Sequence, residues 1–119
     1  MEKDKRKNES SDKENTKAII TLKSNRKNYI IPLENIIYIE AMGNYVHYHT
    51  EDGNRITVYQ SLKNCLDTLP GNFLRTHKSY IINSDKILSY DNDFIETTDG
   101  NKIPVGSSFT DLSKLNKDL

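Results

Sequence analysis

Three histidines are the side chains whose types and spacing come closest to a metal site. His47 and His49 are two residues apart, so they face the same side of a strand, and His77 follows later in the chain. Three imidazoles can hold zinc with water as the fourth ligand, but the sequence places no carboxylate to complete a ligand set. We therefore predict no metal site, and we interpret His47 and His49 as surface or cross-strand residues.

A single cysteine, Cys65, excludes an internal disulfide and a multi-cysteine zinc site. It lies on an apolar stripe formed by positions 62, 65, 66 and 69, which favours a buried small hydrophobe. A nucleophilic pair with His77 is the alternative. Glycine-rich phosphate cradles, paired-carboxylate signatures and a Walker lysine are absent from the sequence. We predict that the protein is not an enzyme, and no cofactor is indicated.

The segment from Phe73 to Asn83 has the least usual composition. Arg75, His77 and Lys78 interrupt two strand-like runs, where a buried strand would carry apolar residues. At a loop or strand edge such side chains can meet phosphates and base edges. A solvated strand end is the other interpretation. Three tyrosines in strand positions are interpreted as core or cross-strand partners rather than stacking platforms for nucleic acid: Tyr38, Tyr48 and Tyr80.

The elements that position these residues belong to one small domain. The chain has 119 residues, with 17 basic and 17 acidic side chains. Residues 1–17 contain no apolar residue after Met1, so they are predicted to form a disordered tail or linker before a domain at 18–119. No apolar run approaches the roughly 18 residues of a membrane helix, and no signal peptide is recognisable. We expect a cytoplasmic protein without a membrane partner.

The domain is predicted to be mainly β, with about ten short strands in antiparallel sheets. The strands follow runs of alternating or apolar residues at 18–23, 29–33, 36–41, 45–50, 55–59, 73–76, 79–82, 86–90, 94–97 and 102–105. One short helix is predicted near 61–69, with Ser61 as N-cap and Pro70-Gly71 as its end. A short C-terminal helix is predicted to begin near Ser108. Two Asp-Gly-Asn turns, at 52–54 and 99–101, repeat turn chemistry rather than a domain.

The order of these segments resembles the LytTR DNA-binding domain, the output module of many bacterial response regulators. The matching segments are 36–41, 43–46, Ser61-Leu62, 73–83 and 103–105, within a resemblance that covers about residues 18–117. It implies an elongated arrangement of short antiparallel sheets with one small helix. It also implies sequence-specific DNA binding by a transcription regulator, through loops between strands that enter successive major grooves. That mode agrees with the absence of a helix-turn-helix pattern.

The resemblance also implies the residues that contact DNA. Lys78 matches a base-contacting position, and Asn44 with Tyr45 matches a second. The family usually has an arginine shortly after the Pro-Val pair, and Ser107 stands there in this chain. Side chains expected at phosphates or in secondary contacts are His77, Arg75, Ser79, Lys63, Ser107 and Ser108.

The charge of the domain bears on its partners. Residues 18–119 carry 11 basic and 12 acidic side chains, and seven of the twelve acids lie at Asp85 or later. We therefore expect modest affinity that falls steeply with salt, and two copies on repeated half-sites of double-stranded DNA as a homodimer. A receiver domain or sensor kinase is expected upstream, unless the chain is a stand-alone regulator. The alternative function is a β-rich protein-interaction module without DNA binding.

Overall fold

The structure, a computed structural model, describes residues 18–107. The predicted tail, the predicted C-terminal helix and Ser108 lie outside the described residues. The described part is mainly β, as the sequence predicts. Its elements are β1 Ile19–Ser24, β2 Lys27–Pro32, a 3₁₀ turn Leu33–Asn35, β3 Ile36–Met42, β4 Tyr45–Thr50, β5 Arg55–Tyr59, α1 Leu62–Thr68, β6 Phe73–His77, β7 Tyr80–Asn83, a 3₁₀ turn Ser84–Lys86, β8 Ile87–Tyr90, β9 Phe94–Thr97 and β10 Lys102–Pro104.

The strands form three antiparallel sheets. The orders are β1-β2, β5-β4-β3-β7-β6 and β10-β9-β8. The β1-β2 hairpin turns through Asn25 and Arg26, whose φ angles of 52° and 67° are those of a tight two-residue turn. The sequence predicted a longer connection at 24–28, because a positive-φ turn without glycine has no clear sequence signal.

The hydrophobic core covers both faces of the five-stranded sheet. On one face Ile39, Tyr48 and Ile81 pack with Leu62 and Cys65 of α1. On the other face, Tyr38 and Ile82 of the five-stranded sheet pack with Ile95 and Ile103 of the three-stranded sheet. Because alternate residues face opposite sides of a strand, α1 and the three-stranded sheet cover opposite faces. At one end of this sheet the turn residues Gly43, Asn44 and Lys78 are exposed.

Two parts of the chain share one architecture. The first unit (residues 33–59) and the second unit (residues 84–104) each run through a 3₁₀ turn and three strands. Each first strand has a register shift at its second residue, Ile37 or Leu88. The N–H of Glu51 donates to the carbonyl of Asn35, and that of Thr98 to Lys86, both at 2.9 Å. The repeat seen in the Asp-Gly turns therefore extends to a whole three-stranded unit.

The same side-chain network closes the turn between the second and third strands of each unit. In the first unit the Thr50 hydroxyl donates to the Asp52 carboxylate, which accepts from the side chain of Asn54 at 2.9 Å. In the second unit the equivalent bonds join Thr97, Asp99 and Asn101. The glycines have φ angles of 84° and 88°, in the left-handed region that favours glycine. We call the end of each unit that holds this turn and the 3₁₀ turn its base.

Candidate nucleic-acid interface

Two turns meet at one end of the five-stranded sheet. Gly43-Asn44 joins β3 to β4, and Lys78-Ser79 joins β6 to β7. Strand β3 pairs with β7, and the N–H of Ala41 donates to the carbonyl of Ser79 at 2.8 Å. Asn44, Tyr45 and Lys78 therefore lie at the same end of the sheet, opposite the base of the first unit. We call it the turn end.

The hairpin around Lys78 is held by its own side chains. The Arg75 guanidinium donates to the carbonyl of Lys78 at 2.7 Å. The N–H of Ser79 donates to Nδ1 of His77 at 3.0 Å, and the imidazole meets the Tyr80 ring edge-on at 5.4 Å. The Lys78 side chain is exposed. Arg75 and His77 thus fix the backbone of the turn, whereas the Lys78 ammonium group is left for a partner.

The Asn44 turn faces the start of α1 across an open hollow of about 290 Å³. Its lining residues are Gly43, Asn44, Tyr59, Gln60, Ser61 and Asn64. The Ser61 hydroxyl accepts from the N–H of Asn64 at 3.1 Å and caps the helix, as the sequence predicts. Lys63 is exposed in this first helical turn. Sequence reasoning missed Tyr59, Gln60 and Asn64. The order of the strands in the sheet brings these residues close to Asn44, and their spacing along the sequence does not indicate it.

Ser107, the third predicted contact, lies beside the hairpin of β6 and β7 and close to an acidic turn. The N–H of Gly106 donates to the carbonyl of Thr76 at 2.8 Å, which places Ser107 alongside β6. The N–H of Val105 donates to the carbonyl of Asp93 at 2.9 Å, so an acidic turn is close by. Hydrogen bonds from the N–H groups of Phe94 and Asp93 lower the pKa of Asp91. This segment therefore combines an exposed serine with neighbouring negative charge.

The strand histidines serve as cross-strand partners, as the sequence predicts. His47 Nδ1 and the Thr57 hydroxyl form a hydrogen bond of 2.9 Å, and burial lowers the pKa of His47, with Arg55 adding to the effect. His49 Nε2 donates to Glu40 at 3.1 Å and its ring stacks on Tyr38 at 4.2 Å. Within residues 18–107, no group of three or more His, Cys, Asp or Glu side chains is placed to hold a metal ion.

Cys65 is a buried small hydrophobe, as predicted. Its side chain is fully buried on the face of α1 that packs against the core, and its sulfur accepts a hydrogen bond from the Tyr48 hydroxyl at 3.3 Å. Burial raises the pKa of the thiol, which favours the protonated form. His77 lies with Tyr80 on the other face of the sheet. The structure therefore gives Cys65 none of the features of a catalytic nucleophile.

Comparisons with known proteins agree with this geometry. The family model described as the LytTr DNA-binding domain matches residues 26–117. A solved LytTR DNA-binding domain from Bacillus cereus, ascribed to a methyl-accepting/DNA response regulator, superposes with a TM-score of 0.74 at 26% identity. The match covers 86% of this chain and 99% of that one. A comparison with curated protein sequences gives no match.

The fold and the family model together define a DNA-binding module of bacterial regulators. The chain belongs to the LytTR DNA-binding domain family. This family is one of DNA-binding domains and not of catalysts, which supports the prediction that the protein is not an enzyme. Among the described residues, no helix is long and apolar enough to cross a membrane.

Proposed function

We propose that the protein is a sequence-specific transcription regulator domain of the bacterial cytoplasm, which reads the major groove through the turns at Asn44 and Lys78. The observation that carries the proposal is the convergence of these two turns at one end of the five-stranded sheet. Tight turns at adjacent strand ends are narrow enough to enter a groove about 12 Å wide. The family membership supports DNA as the partner.

Each exposed side chain at the turn end has a role that its chemistry supports. The Lys78 ammonium group can donate to O6 and N7 of guanine, and the Asn44 amide can pair with N6 and N7 of adenine. Tyr45, next to Asn44, is the third base contact that we propose. Contacts to phosphate or in a secondary position are proposed for Lys63, His77, Ser79, Ser107 and Ser108. Arg75 acts mainly through the turn, since its guanidinium binds the carbonyl of Lys78.

The affinity of one copy is expected to be modest. Ser107 can donate one hydrogen bond but lacks the two-pronged guanidinium of arginine. Two copies on repeated half-sites would recover affinity through their high effective concentration, so we propose a homodimer on DNA. A complex of one copy with a duplex that holds two half-sites would contradict the dimer. An upstream receiver domain or sensor kinase completes the proposed signalling arrangement.

Selection from a randomised duplex library at low salt tests the function directly. The wild-type domain is expected to enrich a motif with repeated half-sites, and Lys78→Ala to lose that enrichment while keeping its thermal midpoint. Lys27→Ala is the matched control, because Lys27 is an exposed lysine at the start of β2, outside the turn end. No enrichment by folded wild-type domain would contradict the proposal and favour the protein-interaction module, which would use an exposed strand edge.

A further inference from the structure

Three large apolar side chains are exposed together at the turn end. Met42, Tyr45 and Tyr59 are 51%, 48% and 75% exposed. Met42 pairs with Tyr45 across β3 and β4, and Tyr45 pairs with Tyr59 across β4 and β5, so all three lie in one row on the same face of the sheet. We call these three residues the turn-end cluster.

The cluster is ordered without being needed for the core. The rings of Tyr45 and Tyr59 meet edge to face, with centroids 5.4 Å apart and planes at 71°. Val58, the strand neighbour of Tyr59, packs against the core instead. Exposed apolar side chains that gather beside a polar site commonly mark a binding surface. Tyrosines give such a surface rigid contact area at little cost in conformational entropy.

The surroundings of the cluster favour DNA over an apolar protein segment. Tyr59 and Asn44 both line the polar hollow at the start of α1, together with the amide side chains of Gln60 and Asn64. Glu40, the acid nearest along β3, is bonded to His49 and receives the Tyr80 hydroxyl at 3.5 Å. A partner at this surface therefore meets amides beside an apolar centre, which matches the edge of a base, where polar groups and a methyl group lie side by side.

Base edges in the major groove carry one apolar group, the C5 methyl of thymine. We infer that the turn-end cluster reads a thymine beside the base pair contacted by Asn44, with the methyl group seated against Tyr45 and Tyr59. This inference rests on the proposed function and adds to it a specificity determinant, Tyr59. Met42 lies on the other side of Tyr45, in the adjacent strand, and extends the apolar row.

Replacing thymines one at a time by deoxyuridine in the selected duplex removes single methyl groups and tests the inference. When deoxyuridine replaces one particular thymine of each half-site, the affinity of the wild-type domain is expected to fall about fourfold. This loss corresponds to the free energy of burying one methylene group. Tyr59→Ala should bind the thymine duplex more weakly and lose the discrimination between thymine and deoxyuridine. Tyr59→Phe should keep both, because the contact is apolar.

Tyr29→Ala is the matched control, since Tyr29 is a partly exposed strand tyrosine that lines a hollow at the base of the first unit. It should behave as wild type. The inference is overturned if no thymine shows a penalty, or if the penalty persists in Tyr59→Ala. If the wild-type domain selects a motif and Lys78→Ala does not, either of those results refutes the thymine contact and leaves the proposed function standing. If the wild-type domain selects no motif, both the proposed function and the thymine contact are refuted.

Discussion

The two three-stranded units are alike at one end and different at the other. At their bases both have a 3₁₀ turn, a register shift in the first strand and the Thr-x-Asp-Gly-Asn network. At the opposite end, the first unit turns through Gly43 and Asn44, whereas the second turns through Asp91, Asn92 and Asp93. The units therefore share the structure of their bases, and we propose that their different turns at the opposite end give them different roles.

Strand length adds to this difference. Strands β3 and β4 have seven and six residues, whereas β8 and β9 have four each. At about 3.3 Å per residue, the first hairpin extends about 7–10 Å further from its base than the second. The longer hairpin carries an amide and a tyrosine, and the shorter one carries carboxylates that repel phosphate. Of the two hairpins, we therefore propose that only the first enters a DNA groove.

The largest expected effect concerns the residue that precedes each 3₁₀ turn. Asn83 is buried, and its side chain donates to the carbonyl of Ile36 at 2.8 Å and accepts from the N–H of Asp85 at 3.0 Å. Pro32, its equivalent, makes no such side-chain bond. Asn83→Ala should lower the free energy of unfolding by about 3 kcal/mol, because it leaves buried polar groups without partners. Pro32→Ala should cost less than about 1 kcal/mol.

Denaturant unfolding of the two variants measures this contrast. Equal losses in the two variants would mean that the side chain of Asn83 does not fix the start of the second unit.

The next largest effect concerns the Asp-Gly-Asn turns, and it tests whether the base of the first unit and the base of the second unit are equivalent. Gly53 and Gly100 have positive φ angles, and an added Cβ would meet no other atom within 4 Å at either position. The cost of alanine is therefore backbone strain alone, about 1–2 kcal/mol. Gly53→Ala and Gly100→Ala should lower the free energy of unfolding by similar amounts and leave DNA affinity of the folded protein unchanged. A difference greater than about twofold in the two losses would contradict the shared base.

A smaller effect is expected at the segment next to the acidic turn. Ser107→Arg adds a guanidinium beside β6, where the family usually has an arginine, and should tighten binding to the selected duplex about tenfold, within the 1–3 kcal/mol of a bidentate base contact. Ser107→Lys, which adds the charge without the fork, should give a smaller gain. Fluorescence anisotropy at fixed salt measures both. If Ser107→Lys gains as much affinity as Ser107→Arg, the effect comes from the added charge alone.

Much of the fold follows from local sequence signals. Alternation, the Asp-Gly turns and the Ser61 cap predict the ten strands and α1 to within a few residues. The 3₁₀ turns and the extent of the repeat are not predictable, because the units share only short segments and differ in hairpin length. The placement of Asn44 near Lys78 depends on pairing between β3 and β7, which is distant in sequence. The exposure of Tyr59 depends on tertiary packing, and the contacts with DNA stay predictions.

The turns that differ between the two units can be compared directly with one pair of matched variants. Asn44 and Asn92 are exposed asparagines in equivalent turns of the two units. Titration of both alanine variants against the selected duplex at one salt concentration should show about tenfold weaker binding for Asn44→Ala, within the 1–3 kcal/mol of a bidentate base contact. Asn92→Ala should bind as wild type. Equal losses, or a loss confined to Asn92→Ala, would contradict the proposal that, of the two units, only the first contacts DNA.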